Sequence, residues 1–206
     1  MGRARGLDLW GADTYSGHYV SWLDAAAKQA PLYVRQIWGT RADFPDAHFD
    51  LILSNQVLEH VTDPEAVIAD MGRLLKPGGT LIAAFPVVST WYEGHLGLYF
   101  AHRLPRGSVR HASFVAAHRL GFGLYRENLS ATEWASISER TLDDVCFYYP
   151  RARMLNALRI VGVPEDISIH YMRTRLGNLV RHIPGTLLQF AYHKRAGEIF
   201  KVVKAC

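Results

Sequence analysis

The apolar positions between Phe49 and Pro86 change period twice. Phe49 to Ser54 is a short, nearly continuous apolar run, the pattern of a strand covered on both faces, and Thr80 to Phe85 is a second. Between them Val67, Ile68, Met71, Leu74 and Leu75 recur at helical spacing, which predicts an amphipathic helix with one face turned to a sheet. Asp63 followed by Pro64 reads as an N-cap with proline at the first helical position, where a missing N–H costs nothing. Lys76 to Gly79, KPGG, is expected to stop the helix by removing a donor and by permitting positive φ. Strand, helix and strand in this order predict a right-handed parallel crossover. Ligands of such sheets bind beyond the carboxyl ends of the strands, which sets Asn55, Gln56, Val57, Leu58, Glu59 and His60 at the mouth of a site.

On either side the pattern extends the same architecture. Leu7 to Ala12 reads as a strand ending in Asp13, Ser21 to Gln29 as a short helix, and Tyr33 to Trp38 as another strand. Ala42 to His48 then forms a loop. After Pro86 the chain becomes aromatic, His-rich and Gly-rich, too polar for core sheet, and reads as an insertion. Thr141 to Val161 predicts a helix interrupted at Pro150, Ile167 to Tyr171 a strand, and Met172 to Arg195 a basic helical stretch broken at Pro184 and Gly185. Glu198 to Val203 is the last strand. There are no internal repeats or low-complexity tracts.

NQVLEHV followed by LLKPGG resembles the second half of the core of class I S-adenosylmethionine-dependent methyltransferases of the type 11 kind. There a "vlEHv" segment closes over the cofactor and "LkPGG" ends the next helix. The resemblance is good from Leu7 to Val88 and weak beyond. It implies an α/β fold: a Rossmann-like, doubly wound, mostly parallel sheet with an antiparallel last strand and an insertion after the fifth strand. One methyltransferase-like domain is expected over residues 1–206, with a core at 7–88, an insertion for acceptor recognition at 89–140, and C-terminal helices and last strands at 141–206. The family's first strand and its Gly-rich "DvGCGxG" turn have no counterpart upstream of Leu7, where GRARG stands. The expectation is therefore an N-terminally truncated core whose sheet lacks a central strand.

Composition narrows the classes. The chain has 206 residues, 49% hydrophobic and 20% charged, enough for one sizeable core. It carries no apolar run of transmembrane length and no signal-peptide pattern, so a cytoplasmic protein is expected. Two cysteines, Cys146 and Cys206, are too few for a disulfide framework or a zinc site and read as inert thiols. The net charge of +4 is uneven, with ten Lys and Arg against three acids from Arg151 onward. A solvated helix face explains that, as does a surface for a phosphate-bearing acceptor, nucleic acid or an anionic membrane.

The resemblance and the strand ends together nominate site residues. S-adenosyl-L-methionine is the implied cofactor. Asp13, in Gly11-Ala12-Asp13, matches the family's "GvD" acid that bonds the ribose, or else caps a turn. Asp43 contacts adenine, or else faces water. Asn55, Gln56, Glu59 and His60 lie along the cofactor, with Gln56 toward the methionine end and Glu59 bracing the loop. His60 is the first candidate base for a hydroxyl acceptor and His95 the second, because methyl transfer to oxygen needs a proton removed. A backbone-bonded structural histidine is the alternative for His60. Trp91, Tyr92, Glu93, His95, Tyr99, Phe100 and His102 make a candidate acceptor wall. Without HExxH or CxxC spacing, no metal ligands are expected. The function read from this is methyl transfer to a small or lipid-like acceptor, with no nucleic acid as partner and an oligomer left open. The alternatives are a non-catalytic relative that binds no cofactor, and a nucleic-acid methyltransferase supported only by the basic C-terminal quarter.

Overall fold

The computed structural model of the protein describes residues 6–13 and 34–205. The helix expected over Ser21–Gln29 and the thiol of Cys206 lie outside them. The described strands fall into two larger sheets and one small hairpin. In the first sheet β1 (Gly11–Asp13) pairs in parallel with β2 (Val34–Trp38), which turns back onto β3 (Arg41–Ala42). In the second, β4 (Phe49–Asn55) pairs in parallel with β5 (Leu75–Phe85), followed by β9 (Glu198–Val203) and β8 (Pro164–Asp166). Both β5 and β8 run antiparallel to β9, so three strands point one way and the last strand the other. This is a mixed α/β, mostly parallel sheet, as the sequence implies.

Helix α1 (Pro64–Leu74) starts as the sequence predicts. The Asp63 carboxylate accepts from the Ala66 N–H at 3.0 Å, and Pro64 fills the first helical position. Ile68 and Leu74 bury its inner face, each such side chain contributing about 1.5–3 kcal/mol. The helix ends at Leu74, just ahead of KPGG, and Gly78 takes a positive φ of 74°; KPGG itself lies in the bulged start of β5, whose first residue is Leu75. The segment bulges: Phe49 pairs with Leu75 but Leu51 with Thr80. It is pinned from the far side, where Gly78 N–H donates to Lys204 O at 3.1 Å and Lys204 N–H to Gly79 O at 2.9 Å. These two backbone bonds hold the bulge against the residue after β9.

The main core joins Leu58, Ile68, Leu75, Leu81, Phe85, Met154, Leu158, Phe200 and Val202 between β5, β9, α1 and α4 (Arg151–Leu158). A smaller cluster of Trp10, Ile37, Ala42, Phe44, Phe49, Ile52 and Leu74 ties the first sheet to β4 and α1. No strand pairing links the two sheets among the described residues, and Leu51 and Leu53 of β4 are exposed.

The segment after Pro86 folds around its own apolar cluster. A hairpin pairs β6 (Tyr92–Glu93) with β7 (Leu98–Tyr99), and α2 (Ser108–Arg119) packs on α3 (Ala131–Arg140). Leu96, Ala101, Phe114, Trp134 and Leu142 fill the space between. The two helices were not legible from the sequence, because polar residues break their apolar stripe: Arg110, His111 and His118 in α2, and Ser136, Ser138 and Glu139 in α3. A second correction concerns Ile167–Tyr171: Pro164–Asp166 is the strand, and α5 (Ser168–Leu176) comes after it. The Asp166 carboxylate accepts from the Ser168 N–H at 2.9 Å and turns the chain out of the sheet. The break at Pro184 is as expected, with α6 (Gly185–Arg195) beyond it.

Candidate active site

At the carboxyl end of β4 the chain leaves the sheet abruptly. Gln56 takes a left-handed φ of 54° while its N–H donates to Ala84 O at 2.8 Å. A non-glycine residue in that region costs about 1–2 kcal/mol, so the turn is held in place by the packing of the next few residues. Leu58 to His60 form one 3₁₀ turn that drives Leu58 into the core and leaves the His60 ring outside. Phe147 N–H donates to Glu59 O at 2.6 Å, fastening the turn to residues 145–147. His60 Nδ1 bonds Val145 O at 2.8 Å, which fixes the proton on Nδ1 and presents Nε2 outward.

The tip of the β6–β7 hairpin supplies the other half. Glu93, 0% exposed, takes the His95 Nδ1 at 2.7 Å, the Tyr148 hydroxyl at 2.6 Å and the Leu96 N–H at 2.6 Å. His95 is thereby turned so that its Nε2 stands 3.1 Å from Nε2 of His60. Cys146 Sγ lies 3.6 Å from Nδ1 of His95. The two candidate bases of the sequence are thus one cluster. Glu93, read only as part of an acceptor wall, is its buried anchor, and Cys146, read as inert, belongs to it. Sequence periodicity carried no signal for Cys146, which sits in extended backbone just after the π-helical turn Thr141–Val145 that continues α3.

The electrostatics are set by these contacts. The hydrogen bonds from Cys146 and Glu93 push His95 up to about 10, against the pull of burial. The Cys146 contact also raises His60. Burial opposes ionisation of Cys146, but hydrogen bonds from the two imidazoles win and hold the thiol below its ordinary range. Burial works against the Glu93 carboxylate too, and the His95 and Tyr148 bonds overcome it. Glu59 differs: it is 1% exposed, neither oxygen has a hydrogen-bond partner, and burial pushes its carboxyl upward.

A cavity of about 380 Å³ opens beside the cluster, lined by Val88, His102, Arg110, Asp143, Cys146 and Tyr148 among others. Of the expected wall, His102 lines this cavity, whereas Trp91 packs against Phe100 and meets Phe190 of α6 edge to face. The remaining nominated residues are spread along strand ends. Asp13 closes β1, and Asn55 and Gln56 are exposed at the end of β4. Asp43 is turned to solvent, its side chain 81% exposed and 3.6 Å from Arg35, the second of the two alternatives for it.

Residues 3–83 match the family described as Methyltransferase domain. A ubiquinone biosynthesis O-methyltransferase of Rhodopseudomonas palustris (strain BisB18) is 33% identical over 104 residues, covering 48% of this chain and 41% of the relative. One from Coxiella burnetii (strain RSA 331 / Henzerling II) is 28% identical over 131 residues, 60% of this chain and 48% of the relative. The chain therefore spans less than half the length of these curated relatives. Geranyl diphosphate C-methyltransferase from Streptomyces coelicolor A3(2) superposes on all of this chain and 64% of its own, with a TM-score of 0.47 and 15% identity.

Proposed function

We propose, from the match of residues 3–83 to a methyltransferase domain, that the chain is a class I S-adenosylmethionine-dependent methyltransferase acting on a hydroxyl group of a small, aromatic or lipid-like acceptor. The observation that carries the reading is the meeting of His60 and His95, Nε2 to Nε2 at 3.1 Å, beyond the carboxyl end of β4 and beside the cavity. Support for oxygen as the acceptor atom comes from the relatives, named as O-methyltransferases, and from the proton chemistry of the pair.

S-adenosyl-L-methionine, when bound, supplies a methyl group already activated on a sulfonium. The residues proposed to hold it are Asp13 at the end of β1 and Asn55, Gln56 and Glu59 after β4. The orphaned oxygens of Glu59 fit a ligand that brings hydrogen-bond donors, since a buried carboxylate without partners is costly. The rest of the task is placement of the hydroxyl and management of its proton. Glu93 holds the proton on His95 Nδ1, Val145 O holds the one on His60 Nδ1, and the two Nε2 atoms are left to take up and stabilise a further proton between them. Positive charge gathered there favours the deprotonated form of a hydroxyl in the adjoining cavity.

A second reading, a methyltransferase-like chain that binds no cofactor, is favoured by one observation. The sheet carrying Asp13 and the sheet carrying Asn55 share no strand pairing among the described residues. Isothermal titration with S-adenosylmethionine and its demethylated product separates the two. Micromolar binding, weakened by Asp13→Ala, supports the enzyme; a folded chain with no detectable binding supports the second reading.

A further inference from the structure

Two imidazoles whose Nδ1 atoms are both committed to oxygen acceptors must meet through their Nε2 edges. Val145 O takes one Nδ1 at 2.8 Å and Glu93 the other at 2.7 Å. In the neutral rings those Nε2 atoms carry lone pairs, and at 3.1 Å lone pairs repel unless a proton or a cation lies between them. One ligand atom each from His60, His95 and Cys146 lies within 4.8 Å of the other two. From the bond lengths of a tetrahedral zinc site, two nitrogen ligands stand about 3.3 Å apart and nitrogen and sulfur about 3.6 Å. The observed 3.1 Å between the Nε2 atoms is close to the first of these spacings, and Cys146 Sγ, 3.6 Å from the Nδ1 side of the His95 ring, must move toward the Nε2 edges to meet the second.

The surroundings point the same way. A carboxylate or carbonyl on the far nitrogen of each histidine is the arrangement that orients imidazole ligands of metals and raises their basicity. The second group of suitable residues, Asp166, His193 and Glu198, is different. Arg151 reaches both of its carboxylates, at 3.7 and 2.9 Å, and supplies the positive charge itself.

We propose that His60, His95 and Cys146 bind a divalent transition-metal cation of the zinc type, with the fourth position open toward the cavity lined by Cys146 and Tyr148. Two nitrogens and a thiolate select borderline-soft ions over magnesium or calcium. The cation takes the place of the proton between the Nε2 atoms and displaces the thiol proton, so that protons are released to solvent as it enters. An open coordination position beside the cavity would polarise a hydroxyl there. The site is a property of the folded chain and does not depend on the methyl-transfer reading.

The test uses the full chain carrying Cys206→Ser, so that Cys146 is the only thiol, loaded with Co²⁺ and then dialysed. The expected result is one Co²⁺ retained per chain, displaced by Zn²⁺, with a near-ultraviolet thiolate-to-cobalt absorption band. Cys146→Ser should abolish the band, and His95→Gln should weaken retention at least tenfold, since removing even a group that only orients a ligand costs that much. Circular dichroism checks that each variant folds. Retention no greater than in the His60→Gln, His95→Gln, Cys146→Ser chain overturns the site, as does a band that survives Cys146→Ser. Titration with S-adenosylmethionine, with and without metal, is read separately, so failure of the metal site and failure of the methyltransferase reading are distinguishable.

Discussion

His60 Nε2 lies 3.1 Å from His95 Nε2, joining the turn after β4 to the tip of a hairpin 35 residues later in the chain. The contact brings a strand end of the sheet to the segment that walls the cavity. It is also the point at which several consequences of the structure are measurable.

Replacing either histidine of the pair should cost activity without loss of cofactor binding. Proton handling by a positioned side chain is worth about 10²–10⁴-fold in rate. His60→Gln and His95→Gln are each expected to fall in that range at saturating S-adenosylmethionine, and the double variant to fall little further because the two act as a unit. Single-turnover rates together with a calorimetric Kd check this; losses that multiply in the double variant would show independent roles.

The raised pKa of His95 makes stability depend on pH in a defined direction. Its folded value, pushed up to about 10 by Cys146 and Glu93, lies above the value near 6.5 of an unfolded histidine. Protonation therefore favours the folded chain. That contribution is fully present below about 6.5 and is lost as pH rises through about 10. Urea midpoints measured without metal across this window should decline toward alkaline pH, and His95→Gln should flatten the decline.

Glu59 is expected to destabilise the ligand-free chain. Burial raises its pKa, so the folded state prefers the protonated carboxyl, and stability is lost as pH rises through that raised value. Glu59→Gln removes the charge while keeping the shape. It should raise stability at neutral pH, with the advantage shrinking in acid. Equal midpoints for both chains at neutral pH would count against an unpartnered carboxylate.

The bulge at the start of β5 predicts that Gly79 tolerates no side chain. A Cβ there would stand 2.9 Å from Lys76 O and 3.1 Å from Phe49 O, both backbone atoms. Gly79→Ala should cost more than about 1 kcal/mol in chemical denaturation. A neutral substitution would mean that the segment is a free turn after all.

Tyr148→Phe isolates the anchor of the hairpin. The hydroxyl donates to the fully buried Glu93 at 2.6 Å, and its loss leaves that carboxylate one donor short. A destabilisation of about 1–3 kcal/mol is expected, with a drop in His95-dependent activity if the imidazole is released. Unchanged midpoints in guanidinium titrations would place the tyrosine outside the network.

What the sequence determined by itself was the local grammar of the α/β core. The capped start at Asp63 and Pro64, the apolar face of α1, the strands at Phe49 and Glu198 and the His60 turn all depend on interactions a few residues apart, which periodicity and capping chemistry encode directly. Where neighbours across a sheet decide, local reading went astray. Ile167 to Tyr171 carries a strand-like pattern, yet the stretch that pairs with β9 is Pro164–Asp166, and a helix follows it. The site is the extreme case. His60, Glu93, His95, Cys146 and Tyr148 come from three separated stretches, and their shared hydrogen bonds span 35 to 85 residues of chain. No spacing rule announces such a set. Only the packing of the hairpin and residues 145–148 against the end of β4 brings the two imidazoles, the thiol and the carboxylate within reach of one another.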